Sequence, residues 1–233
     1  MKYSMKLSII IPTKNEEALL PRLLQSILTQ ELDFDYEIIV SDAYSIDRTR
    51  EIALNLWCIL CDWWIPAVWR NNWAKISRWE YLLFLDADWI LKQWSIDKWI
   101  NQLKNTDSDL GLPFLELESQ EDNIFARMYF YSSIIWYRIW CAFWAGLIFK
   151  KSLFRKIWWF NENIYLLEDV EIVKRARKYT KKSYLLPKIQ TSARRFDKIW
   201  TVRVLFFTTY LFLLSWFGIY KTKNKTTFNT YKL

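Results

Sequence analysis

An apolar run ends in two carboxylates one residue apart: Tyr81-Leu82-Leu83-Phe84-Leu85 leads into Asp86-Ala87-Asp88. A continuous apolar run of this length reads as a strand buried on both faces. Asp86 and Asp88 then stand at its C-terminal end, the edge at which open α/β sheets bind ligands. Side chains alternate along a strand, so residues i and i+2 share a face. Two carboxylates on one face make a hard, oxygen-rich site for Mg²⁺ or Mn²⁺, and such a metal would in turn hold a diphosphate. The alternative is a pair of solvated turn carboxylates after a strand. A second acidic pair, Glu168-Asp169, opens an amphipathic stretch over 168–179 whose basic residues come last, the charge order that suits a helix dipole.

The elements that must position these groups follow from hydrophobic period. Residues 6–12 read as a first buried strand. Residues 15–30 read as a helix, with Leu19, Leu20, Leu23, Leu24, Ile27 and Leu28 at helical spacing. Residues 36–40 form a second strand closed by Ser41-Asp42. Ser45 and Asp47 offer N-caps for a helix over 47–56. A short strand over 58–61 and a short helix over 71–78 precede the strand at 81–85. Beyond Asp88, helices are expected over 94–103, 123–140 and 152–157. Strands are expected over 110–117, 145–150, 183–186 and 190–193. Strand–helix alternation predicts an α/β fold: a mostly parallel sheet with helices on both faces. No internal repeat or Pro/Gly/Ser linker breaks the chain, so residues 1–197 read as one domain and 198–233 as a hydrophobic helix with a basic tail.

In that tail, residues 204–220 carry no charge, with Arg203 before them and Lys221, Lys223 and Lys225 after. The length is at the lower limit for a spanning helix. A short transmembrane helix, a helix lying in the membrane interface and a buried core helix all fit. The N-terminus is not expected to be a signal peptide, because its apolar run is short and passes directly into Thr13-Lys14-Asn15-Glu16-Glu17.

The 233 residues include 33 Lys and Arg against 25 Asp and Glu, with no His, for a net charge of +8. This suits anionic partners. No segment resembles a nucleic-acid module, so nucleic acid is not expected among them. Three Cys argue against a disulfide framework. Cys58-x-x-Cys61 has zinc-like spacing but lacks the second pair or the His needed for four ligands.

The composition is abnormal in one respect: 16 Trp and only 3 Gly. Ordinary usage of about 7% would give roughly 16 Gly in a chain of this length. Trp158-Trp159 falls after Arg155-Lys156-Ile157, where a helix C-cap favours Gly. Trp63-Trp64 lies in an expected turn, and Trp69, Trp73 and Trp79 punctuate a loop and short-helix ends. The expectation is that many of these codons are UGA, read as Gly in the source organism; the alternative is a genuinely Trp-rich protein.

Taken together, the motifs resemble the family 2 glycosyltransferases, which have the GT-A fold, over about residues 6–200. Ser8-Ile9-Ile10-Ile11-Pro12-Thr13-Lys14-Asn15-Glu16 resembles the family's first strand and nucleotide loop. Asp42-Ala43-Tyr44-Ser45-Ile46-Asp47-Arg48-Thr49 resembles its D-x-S-x-D-x-T segment. Arg70-Asn71-Asn72-Trp73-Ala74 resembles A-R-N-x-G-A. Asp86-Ala87-Asp88 resembles the metal motif, and Glu168-Asp169 the acceptor-side E-D motif. Ala193-Arg194-Arg195-Phe196 resembles the basic segment that often precedes a membrane helix. Gly is usual in the family where Trp73, Trp158, Trp159 and Trp200 stand.

The resemblance implies transfer of a sugar from a nucleotide-diphosphate sugar to a carbohydrate or lipid-linked acceptor hydroxyl, with inversion. Asp88, with Asp86 beside it, would hold the Mg²⁺ or Mn²⁺. Asp169 would be the base, and Glu168 would orient it or the acceptor. Asp42 would accept from the base, Thr13 and Glu16 would line the base and ribose with Pro12 beside them in the nucleotide loop, and Arg70 would pair with phosphate. Arg194 and Arg195 would contact the diphosphate or an anionic lipid-linked acceptor, or else serve as juxtamembrane positives. The expected location is the cytoplasmic face of the cell membrane, in envelope polysaccharide or glycolipid synthesis. A degenerate, membrane-attached nucleotide-binding protein of the same fold is the alternative.

Overall fold

Each central apolar run becomes a strand. In the computed structural model, which describes residues 6–62, 68, 70–71, 74, 80–117, 146–166, 168–180, 183–191, 210 and 221–222, these are β1 (Lys6–Thr13), β2 (Asp35–Asp42), β3 (Ile59–Asp62) and β4 (Tyr81–Phe84). All four are parallel, in the order β3-β2-β1-β4. Leu7, Ile9, Ile10 and Ile11 of β1 are fully buried, as are Leu82 and Leu83 of β4, as expected of a parallel sheet covered on both faces.

The second half of the sheet is mixed. It contains β5 (Trp89–Ile90), β6 (Leu110–Leu117), β7 (Leu147–Lys150) and β9 (Ser183–Thr191), and the full order is β3-β2-β1-β4-β7-β6-β9-β5. β7 runs antiparallel to both β4 and β6, whereas β6 and β9 are parallel. β8 (Ile164–Leu166) pairs antiparallel with β10 (Lys221–Thr222) in a small separate sheet. The helices are α1 (Leu20–Leu28), α2 (Thr49–Asn55), α3 (Ser95–Asn105), α4 (Lys151–Lys156) and α5 (Glu168–Arg177). The expected helix over 123–140 lies outside the described residues. So does that over 204–220, apart from Tyr210, which is helical and exposed. Among the described residues no helix is long and apolar enough to cross a membrane.

The first expected helix starts later than the apolar period suggested. Asn15 has φ 53°, Leu19 and Leu20 donate to the Glu16 carbonyl, and Pro21 occupies the opening of α1. Proline's fixed φ and missing N–H suit that position. Leu20, Leu23, Leu24 and Ile27 then form one buried face, each contributing about 1.5–3 kcal/mol relative to exposure.

The start of β7 packs tightly against the end of β4. A Cβ on Gly146 would lie 2.5 Å from the Phe84 carbonyl oxygen and 2.8 Å from the Trp89 ring. Both neighbours flank Asp86 and Asp88. Gly146→Ala is therefore expected to destabilise the fold by about 1–3 kcal/mol, measured as a fall in the urea midpoint at constant slope.

Candidate functional site

Three adjacent strand ends carry the first group. Thr13, Asp42 and Asp62 stand in register at the C-terminal ends of β1, β2 and β3. Asp42 is fully buried, and both its oxygens are engaged. Oδ1 accepts from Thr13 Oγ1 (3.0 Å) and Ser45 Oγ (2.5 Å); Oδ2 accepts from Ser45 N (2.9 Å) and Arg50 Nη1 (3.0 Å). Sequence reading gave Asp42 the role of accepting from a nucleotide base; within the chain its carboxylate is the hub that joins two strand ends to α2. Thr13 is buried with it, and Pro12 is partly buried in register with Ser41.

The loop after β1 is latched to the loop after β2. Asn15 N donates to Ser45 Oγ (2.8 Å), and Ile46 N to Asn15 Oδ1 (3.0 Å). Glu16 N donates to Thr49 Oγ1 (2.8 Å), and Glu17 N to Asp47 Oδ2 (3.1 Å). Asp47 Oδ1 also accepts from Thr49 N at 3.0 Å, which satisfies a free donor at the start of α2. These bonds hold the backbone around Glu16 in one shape over the sheet edge.

Asp86 and Asp88 follow β4 at the same edge. Leu85 N extends the pairing to Ile10 O at 3.0 Å, and Trp89 N closes a turn on Asp86 O. Asp88 is buried and Asp86 partly so. No cluster of three or more His, Cys, Asp or Glu suited to a metal occurs among the described residues. Two carboxylates fit a Mg²⁺ or Mn²⁺ that takes its remaining ligands from substrate phosphate and water.

The second acidic pair, Glu168-Asp169, opens α5. Glu168 Oε1 accepts from Arg70 Nη1 at 2.6 Å, and both side chains are largely buried. The Arg70 guanidinium also sits 5.0 Å from the centre of the Phe160 ring. Arg70, expected to meet phosphate, is thus tied to the E-D pair 98 positions away. Burial, then the adjacent Glu168 charge, pushes the Asp169 carboxyl up to about 7; Arg70 opposes this and Asp86 adds to it. Asp86 is thus near enough for its charge to be felt at Asp169.

Asn71 is a site residue that sequence reading did not single out. Its Nδ2 donates to Phe160 O (2.9 Å) and Glu162 Oε1 (3.0 Å), and its Oδ1 accepts from Phe160 N (2.8 Å). It holds the loop over 158–162 against the helical segment that carries Arg70. Only its place beside Arg70 in the R-N motif marked it. Asn71→Ala would strand the buried Phe160 main-chain groups and is expected to cost about 2–4 kcal/mol, read by chemical denaturation. A cleft of about 470 Å³ lies along this loop, between Asn71, Trp158, Trp159, Glu162, Glu171 and Arg175. Arg194 and Arg195 lie outside the described residues, as do Trp73 and Trp200.

Comparison with known proteins shows the family and the fold. The family model described as glycosyl transferase family 2 matches residues 8–161. A poly(ribitol-phosphate) beta-glucosyltransferase of Bacillus spizizenii is 34% identical over 119 residues, which are 46% of this chain and 19% of that protein. Among solved structures, the 1–349 fragment of S. aureus TarS in complex with UDP-GlcNAc superposes with a TM-score of 0.66 at 19% identity. That match covers 82% of this chain and 59% of the other. The Pyrobaculum calidifontis mannosyltransferase PcManGT, in complex with GDP-Man and Mn²⁺, gives a TM-score of 0.65 at 17% identity, over 81% of this chain and 57% of the other.

Proposed function

The chain belongs to glycosyl transferase family 2, and from that premise we propose that it moves a sugar from a nucleotide-diphosphate sugar to an acceptor hydroxyl with inversion of the sugar centre. The observation that carries this reading is the Arg70–Glu168 ion pair, which ties the segment before β4 to the acidic pair at the start of α5, where burial raises the Asp169 carboxyl towards neutrality. Such a carboxyl is a good general base near neutral pH, because its affinity for a proton matches the task. Asp169 accepts the acceptor's proton as the hydroxyl attacks. Glu168, clamped by Arg70, fixes the orientation of the base and raises its basicity through charge. Pro12, Thr13, Glu16 and the Asp42 hub shape the nucleotide cradle. A divalent cation on Asp88, with Asp86 beside it, would act as a Lewis acid that neutralises the leaving diphosphate.

The acceptor is an anionic, phosphate-bearing envelope polymer or its lipid-linked precursor. A net charge of +8 favours such a partner, and the Bacillus spizizenii relative is named for one. Membrane contact through 204–220 is peripheral in this reading. Thr191, in β9, and Lys221, in β10, lie on either side of that segment and both pair with strands of the one domain. A single spanning helix between them would separate them by the bilayer.

The test is nucleotide release from UDP-glucose, UDP-GlcNAc and GDP-mannose with a poly(polyol-phosphate) acceptor and Mn²⁺. Acceptor-dependent release from one donor supports transfer. Nucleotide binding in calorimetry with no release from any donor would instead mark a binding protein that has lost turnover.

A further inference from the structure

The described residues contain six tryptophans: Trp57, Trp89, Trp94, Trp99, Trp158 and Trp159. Four of them have a left-handed backbone: Trp57 (φ 59°), Trp94 (φ 65°), Trp158 (φ 62°) and Trp159 (φ 66°). Only a few per cent of residues other than Gly adopt positive φ, and a bulky residue there is an outlier. Four outliers among six residues of one type is not a property of tryptophan.

At Trp57 and Trp158 the local chemistry is that of glycine, whereas the Trp159 ring also packs edge-on against Phe154. At the end of α2, Trp57 N donates to Leu54 O at 3.1 Å and Cys58 N donates to Ala53 O at 3.0 Å. At the end of α4, Trp158 N donates to Arg155 O at 3.1 Å and Trp159 N to Phe154 O at 3.3 Å. Each pair of bonds is a Schellman cap, whose left-handed residue is usually Gly. The two indoles at those positions are 95% and 80% exposed, so they gain almost nothing by burial. Trp99 is the contrast: it lies within α3 and is fully buried in the core.

We propose that Trp57, Trp94, Trp158 and Trp159 are glycines in the organism's own protein, each encoded by UGA, whereas Trp99 is a true tryptophan encoded by UGG. The shortage of Gly and surplus of Trp, 3 against 16, is the imbalance that such decoding leaves. For the site, the consequence is that the cleft beside Asn71, Glu162 and Arg175 is walled at 158 and 159 by bare backbone. A sugar hydroxyl or phosphate can then reach the Glu162 and Arg175 side chains that line the cleft without two indole rings in the way.

The experiment is to read the codons at these five positions and to identify the residues in peptides of the protein purified from its source organism. UGA at 57, 94, 158 and 159, Gly in the corresponding peptides and UGG at 99 is the expected result. UGG at any of the four, or Trp in those peptides, overturns the assignment there. A second measurement needs no source material. In the recombinant chain, Trp57→Gly and Trp158→Gly should each raise the folding equilibrium constant roughly tenfold through loss of left-handed strain, and Trp99→Gly should lower it. Unchanged or lower stability in the first two contradicts the proposal.

Discussion

Asp169→Asn is expected to lower kcat by about 10²–10⁴-fold and to leave the affinity for the nucleotide sugar unchanged. Asn keeps the shape and one acceptor oxygen of Asp but cannot take up a proton. The proposed nucleotide cradle is built on β1, β2 and their loops, whose bonds among the described residues do not involve Asp169, so donor binding provides the internal control. The substitution also removes a carboxylate whose ionised form is disfavoured by burial and by Glu168. A carboxyl raised in the folded state lowers stability as pH climbs from its unfolded value towards its folded one. The Asn variant should therefore be at least as stable as the parent at neutral pH, and its lost activity cannot be ascribed to unfolding. Full turnover in Asp169→Asn would remove it as the base.

Asp88→Asn is expected to lower turnover by about 10²–10³-fold, with a steep rise in the Mn²⁺ concentration needed for half-maximal rate. Asp88 is the more buried of the two carboxylates proposed to hold the metal, and among the described residues no cluster of three or more His, Cys, Asp or Glu offers a replacement ligand. Chelation of divalent cations should reproduce the loss in the parent and add little to the variant. Turnover that survives chelation would mean that cationic side chains neutralise the leaving diphosphate instead. Titrating Mn²⁺ into both forms while nucleotide release is followed separates the two outcomes.

Much of the metal-side half of this site was legible because it rests on local pattern. β1, β2 and β4 are apolar runs that end in polar residues, so Thr13, Asp42 and Asp86 could be assigned to one sheet edge before any contact was known. β6 spans the expected residues 110–117. Other strands fell below what a pattern can reveal. β5 and β10 have two residues each and β8 three, lengths at which alternation has no meaning. β9 read as two strands and is one, passing through Pro187 with a register shift opposite Pro113 and Phe114. Such a bulge accommodates a residue that cannot donate to the ladder.

The acceptor-side half depends on contacts that no sequence period encodes. Arg70 and Glu168 are 98 residues apart, and Asn71 and Phe160 are 89 apart. Chemistry suggested phosphate for Arg70, since guanidinium pairs well with it; within the chain a carboxylate takes that place. The left-handed tryptophans show the converse. Trp158 was suspect from its position after a basic helix end, but Trp57 and Trp94 drew no notice until their backbone angles were known.

The pH dependence of kcat for the parent and for Glu168→Gln is the measurement that tests the central claim most directly. A base must be ionised to work, so the rate should rise with pH and level off above the carboxyl's folded value, about 7 in the parent. Removing the Glu168 charge takes away a cause of that elevation, so the acid limb of Glu168→Gln should move to lower pH. A limb that moves in this direction identifies Asp169 as the group that takes the acceptor's proton. A rate that is flat from about pH 5 to about pH 8, or a limb that stays in place in Glu168→Gln, would contradict the account.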